Sequence, residues 1–205
     1  MAEIRCEEKR AGGVFSSTDL VLIRHADADT GGRLCGRTDV GLADAATKAM
    51  AALAQFLPSV DEIWTSPALR CRQTASHLWP RARLREDGRL QEQHFGAWEG
   101  LANEDIPDLG DLSRAETASL RPEGGESFRD LCDRASPALR ALAEMAEAGP
   151  VVAVTHAGVV RAALSMVLGE PTAGLAFEVR PLSITRFRCA RGVPLSVAEV
   201  NWRPA

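Results

Sequence analysis

Three predicted strands of this chain are followed by residues that could bind or attack a phosphate group. Arg24 and His25 follow the first strand, His156 follows a later one, and Arg70 lies one turn into a helix. Guanidinium forks match phosphate oxygens, and the helix start near Gly158, next to Ala157, adds backbone N–H groups at the positive end of a dipole. An imidazole among such cations loses affinity for a proton and can present a lone pair. The pattern predicts phosphoryl transfer through a covalent phosphohistidine.

A leaving alkoxide also needs a proton, and one glycine-punctuated loop offers two carboxyl groups for that task. Glu92 and Glu99 lie in this loop together with Phe95 and Trp98, whose rings can exclude water and raise the pKa of a carboxyl group. We assign Glu92 as the general acid and, in a second step, as the base that activates water. Glu99 stays the alternative, because spacing does not separate the two.

An alternation of strands and helices must position these residues. Apolar runs predict strands at 20–23, 62–65, 151–155, 183–188 and 195–200, and helical spacing predicts helices at 43–57, 66–78, 127–148 and 158–168. The second helix is expected to begin with Ser66 as N-cap and Pro67 as its first residue. This order predicts an α/β fold, a three-layer αβα sandwich with a largely parallel central sheet. The candidate site then lies at the carboxyl ends of the strands.

Two regions show weaker patterns. Residues 86–126 contain glycines and prolines that break any long period, and we interpret them as cover over the site. Within them, 101–121 shows no decipherable pattern. A run of arginines just before and inside this region is interpreted as a solvated face: Arg81, Arg83, Arg85 and Arg89.

Length and composition favour an ordinary globular protein. The chain has 205 residues, 45% of them hydrophobic, and we interpret 19–205 as one domain and 1–18 as a mobile N-terminal arm. The net charge of −4 argues against a nucleic-acid or membrane-surface binder, and the apolar runs are too short to span a bilayer. Five scattered cysteines fit neither a disulfide framework nor a zinc site. With no recognisable targeting segment, a cytoplasmic location is expected.

Six motifs occur in the order typical of the histidine phosphatase superfamily, and the chain resembles its phosphoglycerate-mutase-like branch. They lie at 22–26, 35–42, 66–75, 92–100, 122–127 and 155–158. The resemblance implies a phosphoglycerate-mutase-like fold with His25 as the phosphorylated nucleophile and Glu92 as the proton donor. It implies that Arg24, Arg70 and His156 form the phosphate pocket.

The resemblance further implies a metal-independent phosphomonoesterase without a cofactor, whose partner is a small phosphorylated substrate. Arg37 occupies a position that in relatives often contacts phosphate or substrate. Segment 35–40 is most similar to α-ribazole phosphatases, so α-ribazole phosphate is a candidate substrate. Mutase members carry a larger insert over the site, and the short chain therefore favours hydrolysis over mutase-type phosphotransfer. A monomer or a homodimer is expected.

Departures from the family pattern keep further alternatives open. Ala26 stands where the family usually has glycine, which fits a degenerate relative that only binds a phosphorylated ligand. Asp27 and Asp29 could join His25 and His156 in a metal site, which would make the protein a metallohydrolase.

Overall fold

The computed structural model describes residues 16 and 18–204, and a six-stranded sheet lies at its centre. The strands are β1 (Asp19–Arg24), β2 (Glu62–Thr65), β3 (Arg83–Glu86), β4 (Val151–Thr155), β5 (Ile184–Ala190) and β6 (Val193–Trp202). Their order is β3-β2-β4-β1-β5-β6. The first four are mutually parallel, whereas β5 and β6 add an antiparallel edge. The predicted α/β fold with a mostly parallel sheet is confirmed.

Helices cover both faces of this sheet. They are α1 (Ala46–Ala54), α2 (Leu69–Leu78), α3 (Arg114–Ser119), α4 (Phe128–Ala146) and α5 (Ala157–Leu168). In β1, Leu20 and Leu22 pack with α4 and α5, while Val21 and Ile23 pack with α1 and α2. A strand buried on both faces needs apolar residues at every position, which explains the unbroken run in the sequence.

Helices α1 and α2 begin later than predicted, because the residues expected to start them form hydrogen bonds elsewhere. The backbone N–H of Ala43 donates to the carbonyl of Asp27, and 43–45 form a turn before α1. Ser66 does not cap α2, which starts at Leu69. Instead, the Leu69 N–H donates to Asp39 Oδ1 at 2.7 Å. The carboxylate that satisfies this helix end thus comes from a distant loop.

Two elements were not predicted. The arginine-rich segment interpreted as a solvated face contains the edge strand β3, in which Arg85 donates to Glu62 at 2.7 Å. Only one of its faces meets the core, so its sequence lacks a continuous apolar run. Helix α3 lies inside 101–121 and begins with a reciprocal capping box between Ser113 and Glu116. The Ser-x-x-Glu spacing was visible in the sequence and could have revealed it.

Some expectations fall outside what the structure describes. The predicted arm at 1–18 does so except for residues 16 and 18. Among the described helices, none has the length and apolar character needed to cross a membrane. The cysteines within the described part of the chain are free thiols: Cys35, Cys71, Cys132 and Cys189.

The core beneath α4 gives a first testable prediction. Leu139 is 0% exposed in the cluster that packs α4 and α5 on the sheet. We expect Leu139→Ala to lower the free energy of unfolding by about 2–5 kcal/mol, because it removes buried contacts and leaves a cavity. Leu195→Ala is the control, since that side chain is 63% exposed and should change stability by less than about 0.5 kcal/mol. Urea unfolding measures both, and equal effects would contradict the assigned packing.

Candidate active site

The carboxyl ends of three neighbouring strands bring the candidate residues together. β1 ends at Arg24 and β4 ends at Thr155, and these two residues are register partners. The His25 N–H donates to the Thr155 carbonyl at 2.9 Å, and the Ser66 N–H donates to the Val154 carbonyl at 3.1 Å. Sheet hydrogen bonding therefore continues one residue beyond the strands and fixes where the site residues begin.

His25 is held in one tautomer by its two neighbours. Its Nδ1 lies 2.7 Å from the carbonyl oxygen of Ala26, which can only accept, so Nδ1 carries the proton. Its Nε2 lies 3.3 Å from Nε of Arg70, which can only donate, so Nε2 carries the lone pair. Burial, with smaller contributions from Arg70 and Arg24, lowers the pKa of His25 to about 3, although the hydrogen bond to the Ala26 carbonyl acts in the opposite direction. The ring is therefore a neutral imidazole whose Nε2 lone pair is not protonated.

Arg70 is the buried centre of the site. Its side chain is 2% exposed, and its Nη2 donates to the Gly36 carbonyl at 2.7 Å while its Nη1 donates to the Thr38 carbonyl at 3.1 Å. Nη2 also lies 3.3 Å from Nδ1 of His156. The guanidinium thus joins both histidines to the turn at 35–38.

His156 is placed beside His25 but faces away from open solvent. The two ring centroids are 5.1 Å apart with an interplanar angle of 67°, and His156 is 0% exposed. Because Arg70 donates to Nδ1, the proton lies on Nε2, which donates to Ser66 Oγ at 2.8 Å. Burial, His25 and Arg70 lower the pKa of His156 well below its usual value. Ser66, expected as a helix cap, instead fixes this ring.

Glu92 sits at the amino end of α5. The Gly158 N–H donates to both of its carboxylate oxygens, at 3.1 and 3.2 Å, and the Gln93 N–H donates to Oε1 at 3.0 Å. A Cβ at position 158 would overlap Glu92 Oε1 and lie 2.8 Å from a methyl group of Leu131. Only glycine therefore leaves room for the carboxylate here. Ala157 begins α5 and packs partly against the core.

Glu99, the alternative acid in the same loop, has more hydrogen-bond donors than Glu92. The Glu99 carboxylate accepts hydrogen bonds from the N–H groups of Gly36, Arg37, Thr38 and Phe95 and from the Thr38 hydroxyl, at 2.6 to 3.1 Å. Burial raises the pKa of Glu99, but these hydrogen bonds outweigh it and lower the pKa below its usual value. A carboxylate held by five donors is a poor proton donor. Glu99 therefore fixes the turn at 36–38, whereas Glu92 accepts from the N–H groups of Gly158 and Gln93 and borders the cleft.

Arg37 lies behind Glu92 and holds its backbone. Arg37 Nε donates to the Glu92 carbonyl at 2.9 Å, and Nη1 donates to Gln91 Oε1 at 2.6 Å. Arg134 of α4 donates to the same carbonyl at 3.2 Å and to both carboxylate oxygens of Glu126, at 2.8 and 2.9 Å. Arg37, which was expected to contact phosphate or substrate, uses these hydrogen bonds to brace the loop that carries Gln91 and Glu92. The sequence did not predict this role for Arg134 and Glu126, because their spacing does not show that the two side chains form an ion pair.

A cleft of about 360 Å³ lies beside the residues that follow the strands. Its lining comprises Arg24, His25, Asp27, Ala28, Thr30, Arg33, Leu34, Cys35, Arg70, Glu92, Phe95, Asn103 and Pro181. The structure thus brings four predicted site residues together around it. His156 and Arg37 border a smaller cavity of about 110 Å³ on the other side of Glu92.

Arg24 contributes a second cation to this cleft. Its Nη1 donates to the Val179 carbonyl at 2.7 Å, which anchors one end of the guanidinium. Burial lowers the pKa of Arg24, while the Glu92 carboxylate opposes that shift. The group stays charged, because arginine does not deprotonate in proteins.

Ala26, which stands where the family usually has glycine, fits beside His25 without disturbing the hydrogen bonds of that ring. Ala26 is fully buried, its N–H donates to Thr74 Oγ1 at 3.0 Å, and its backbone oxygen is the group that orients His25. Its φ is not positive, so the position does not require glycine.

In the described part of the chain, no cluster of three or more His, Cys, Asp and Glu side chains is arranged to hold a metal ion.

Comparison with known proteins agrees with this geometry. The profile of the histidine phosphatase superfamily, branch 1, matches residues 20–202. The chain belongs to this superfamily. Glucosyl-3-phosphoglycerate phosphatase of Mycolicibacterium vanbaalenii is 30% identical in a gapped alignment of 208 positions, which covers 90% of this chain and 91% of that protein. Metal-independent phosphoserine phosphatase of Arabidopsis thaliana is 29% identical over 170 residues, covering 77% of this chain and 71% of that protein.

A solved structure shows that the similarity extends to the fold. The native mycobacterial glucosyl-3-phosphoglycerate phosphatase superposes with a TM-score of 0.78 at 26% identity, covering 91% of this chain and 100% of that chain. The protein is therefore a phosphatase of the histidine type. The finer expectation of an α-ribazole phosphatase is not supported, because these relatives carry other names.

The buried histidines predict how stability depends on pH. The pKa of His25 is about 3 in the folded state and 6.5 in an exposed side chain, so the unfolded state binds an extra proton between these values. Stability should therefore fall as the pH drops from about 6.5 towards 3, with a slope of up to about 1.4 kcal/mol per pH unit from this residue.

Denaturant unfolding at pH 7, 6 and 5 in phosphate-free buffer tests this expectation. His25→Gln should lose less stability across this range than the wild-type protein. The matched control is His77→Gln, because His77 is exposed on α2. An unchanged slope in His25→Gln would contradict the assigned burial of a neutral imidazole.

Proposed function

We propose that this protein hydrolyses a small phosphomonoester through a phosphohistidine formed on His25 Nε2. The observation that carries the proposal is the lone pair of Nε2, fixed by the Ala26 carbonyl on one side and Arg70 on the other. This atom borders the cleft together with Arg24, Arg70 and Glu92. A neutral nucleophile beside two cations and one carboxyl group matches the needs of phosphoryl transfer.

In the first step, Nε2 of His25 attacks phosphorus and the bond from phosphorus to the ester oxygen breaks. The phosphate replaces the hydrogen bond between Arg70 Nε and His25, and Arg70 and Arg24 then donate to its oxygens. Protonated Glu92 gives its proton to the leaving oxygen. His25 keeps the proton on Nδ1, which stays bonded to the Ala26 carbonyl while charge develops on the ring.

In the second step, Glu92 acts as a base. Its carboxylate takes a proton from water, the water oxygen attacks phosphorus, and the bond from phosphorus to Nε2 breaks. Inorganic phosphate leaves, His25 returns to its neutral form, and Glu92 is protonated for the next cycle. The Gly158 and Gln93 N–H groups hold the carboxylate at one place through both steps.

The relatives support a small phosphorylated metabolite as the substrate. Two of them are named for glucosyl-3-phosphoglycerate and phosphoserine, both compact molecules with one phosphate ester. The cleft of about 360 Å³ suits a ligand of that size. We favour hydrolysis over mutase-type transfer, which would return the phosphate to an organic acceptor.

The nucleophile is tested by His25→Ala. We expect a loss of about 10³-fold or more in kcat for 4-nitrophenyl phosphate, since no other residue takes over nucleophilic attack. The measurement uses an excess of chelator, which keeps a metallohydrolase from explaining any residual rate. Unchanged circular dichroism is the control for folding. Activity close to wild type in His25→Ala would refute the mechanism.

The acid is tested by Glu92→Gln. The variant should turn over phenyl phosphate about 10²–10⁴-fold more slowly, whereas 4-nitrophenyl phosphate, whose leaving group needs little protonation, should slow much less in the phosphorylation step. Single-turnover measurements isolate that step. Equal slowing of both esters would remove Glu92 from the role of acid.

A further inference from the structure

A third arginine, Arg33, lines the cleft in addition to the two that are proposed to bind phosphate. Arg33 borders the same cleft as Arg24 and Arg70 but lies in the loop after β1, eight residues along from His25. Among the described residues, no carboxylate forms an ion pair with Arg33. Its charge is therefore available to a ligand.

The loop that carries Arg33 is held rigidly by a distant segment. Arg33 Nη1 donates to the Gly100 carbonyl at 2.8 Å. The backbones of 32–34 and 100–103 are also joined by three hydrogen bonds of 2.8 to 3.2 Å, and Arg33 and Ala102 form a β-bridge. Gly31 and Gly32 have φ values of 58° and 74°, a conformation that lets the chain turn into this position. These contacts hold the backbone of the loop, and one hydrogen bond orients the exposed guanidinium before a ligand binds.

We propose that Arg33 selects phosphomonoesters whose alcohol carries a carboxylate close to the ester oxygen. A guanidinium fork matches a carboxylate, and the group already anchored at Gly100 loses little freedom when it binds. This inference rests on the proposed function, because the phosphate must occupy the cleft beside His25 for the carboxylate to meet Arg33.

Asp27 narrows the ligand class further. It borders the same cleft, so a ligand there meets this negative charge as well as the positive charge of Arg33. A second phosphate would meet this carboxylate unfavourably, whereas a single carboxylate with a neighbouring hydroxyl or ammonium group satisfies both residues. The alcohol is therefore a hydroxy acid or an amino acid rather than a second phosphoryl group.

The contact should act on binding rather than on chemistry. The carboxylate does not change charge during phosphoryl transfer, so Arg33 binds it equally in the ground state and in the transition state. Removing Arg33 should therefore raise KM and leave kcat nearly unchanged.

The test compares 3-phosphoglycerate with glycerol 3-phosphate, which has a hydroxymethyl group where the former has the carboxylate. Each compound competes with 4-nitrophenyl phosphate hydrolysis, and the competition constant reports binding whether or not the compound is turned over. Wild-type protein should bind 3-phosphoglycerate about tenfold more tightly. Arg33→Gln should lose this preference while its constant for glycerol 3-phosphate and its kcat for 4-nitrophenyl phosphate stay within about twofold of wild type.

Two further variants sharpen the result. Arg33→Lys should keep part of the preference, because an ammonium group keeps the charge but not the fork. Arg140→Gln, an exposed position on α4, should keep all of it. A wild-type protein without preference, or an Arg33→Gln variant that keeps it, overturns the proposal. A failure of the proposed function would appear separately, as 4-nitrophenyl phosphate hydrolysis that survives His25→Ala.

Discussion

The active site depends on the burial of one charged side chain without a carboxylate partner. Arg70 is 2% exposed, and within the described residues its donors meet backbone carbonyls and histidine nitrogens instead of an acid. Burying an unpaired charge costs several kcal/mol, and the carbonyl dipoles of the turn at 35–38 offset that cost. Because dipoles carry no net charge, the site keeps a full positive charge for an anionic ligand. The same charge helps keep both imidazoles neutral.

The carboxylates around the site differ in role because they differ in partners. Glu99 accepts five hydrogen bonds and fixes the turn that cradles Arg70, and Glu126 pairs with Arg134 to brace the loop at 89–94. Glu92 meets two N–H groups and borders the cleft. Backbone N–H groups and arginines around the site therefore determine how many hydrogen bonds each carboxylate accepts, and on the proposed mechanism this selects Glu92 for proton transfer. The chemical outcome depends on how the loop is held as much as on the acid itself.

Local patterns in the sequence predicted five of the six strands and the polar residues that follow them, but neither the edge strand β3 nor the contacts between distant loops. The unbroken apolar run of β1 predicted where that strand ends. Because ligands bind at the carboxyl ends of parallel strands, the run was sufficient to predict that His25 lies at that edge of the sheet. The partners of Glu99, the brace behind Glu92 and the position of Arg33 arise where segments far apart in sequence meet. Ser66 illustrates the difference. Its sequence context predicts a helix cap, yet a histidine ninety residues away determines its role.

The stereochemical course at phosphorus tests the central claim most directly. A phosphorothioate substrate made chiral at phosphorus with two oxygen isotopes would be hydrolysed in water carrying the third isotope, and the configuration of the chiral thiophosphate product determined. Two successive in-line displacements, first by His25 and then by water, predict overall retention of configuration. Inversion would mean that water attacks the substrate directly, and it would contradict a phosphohistidine intermediate.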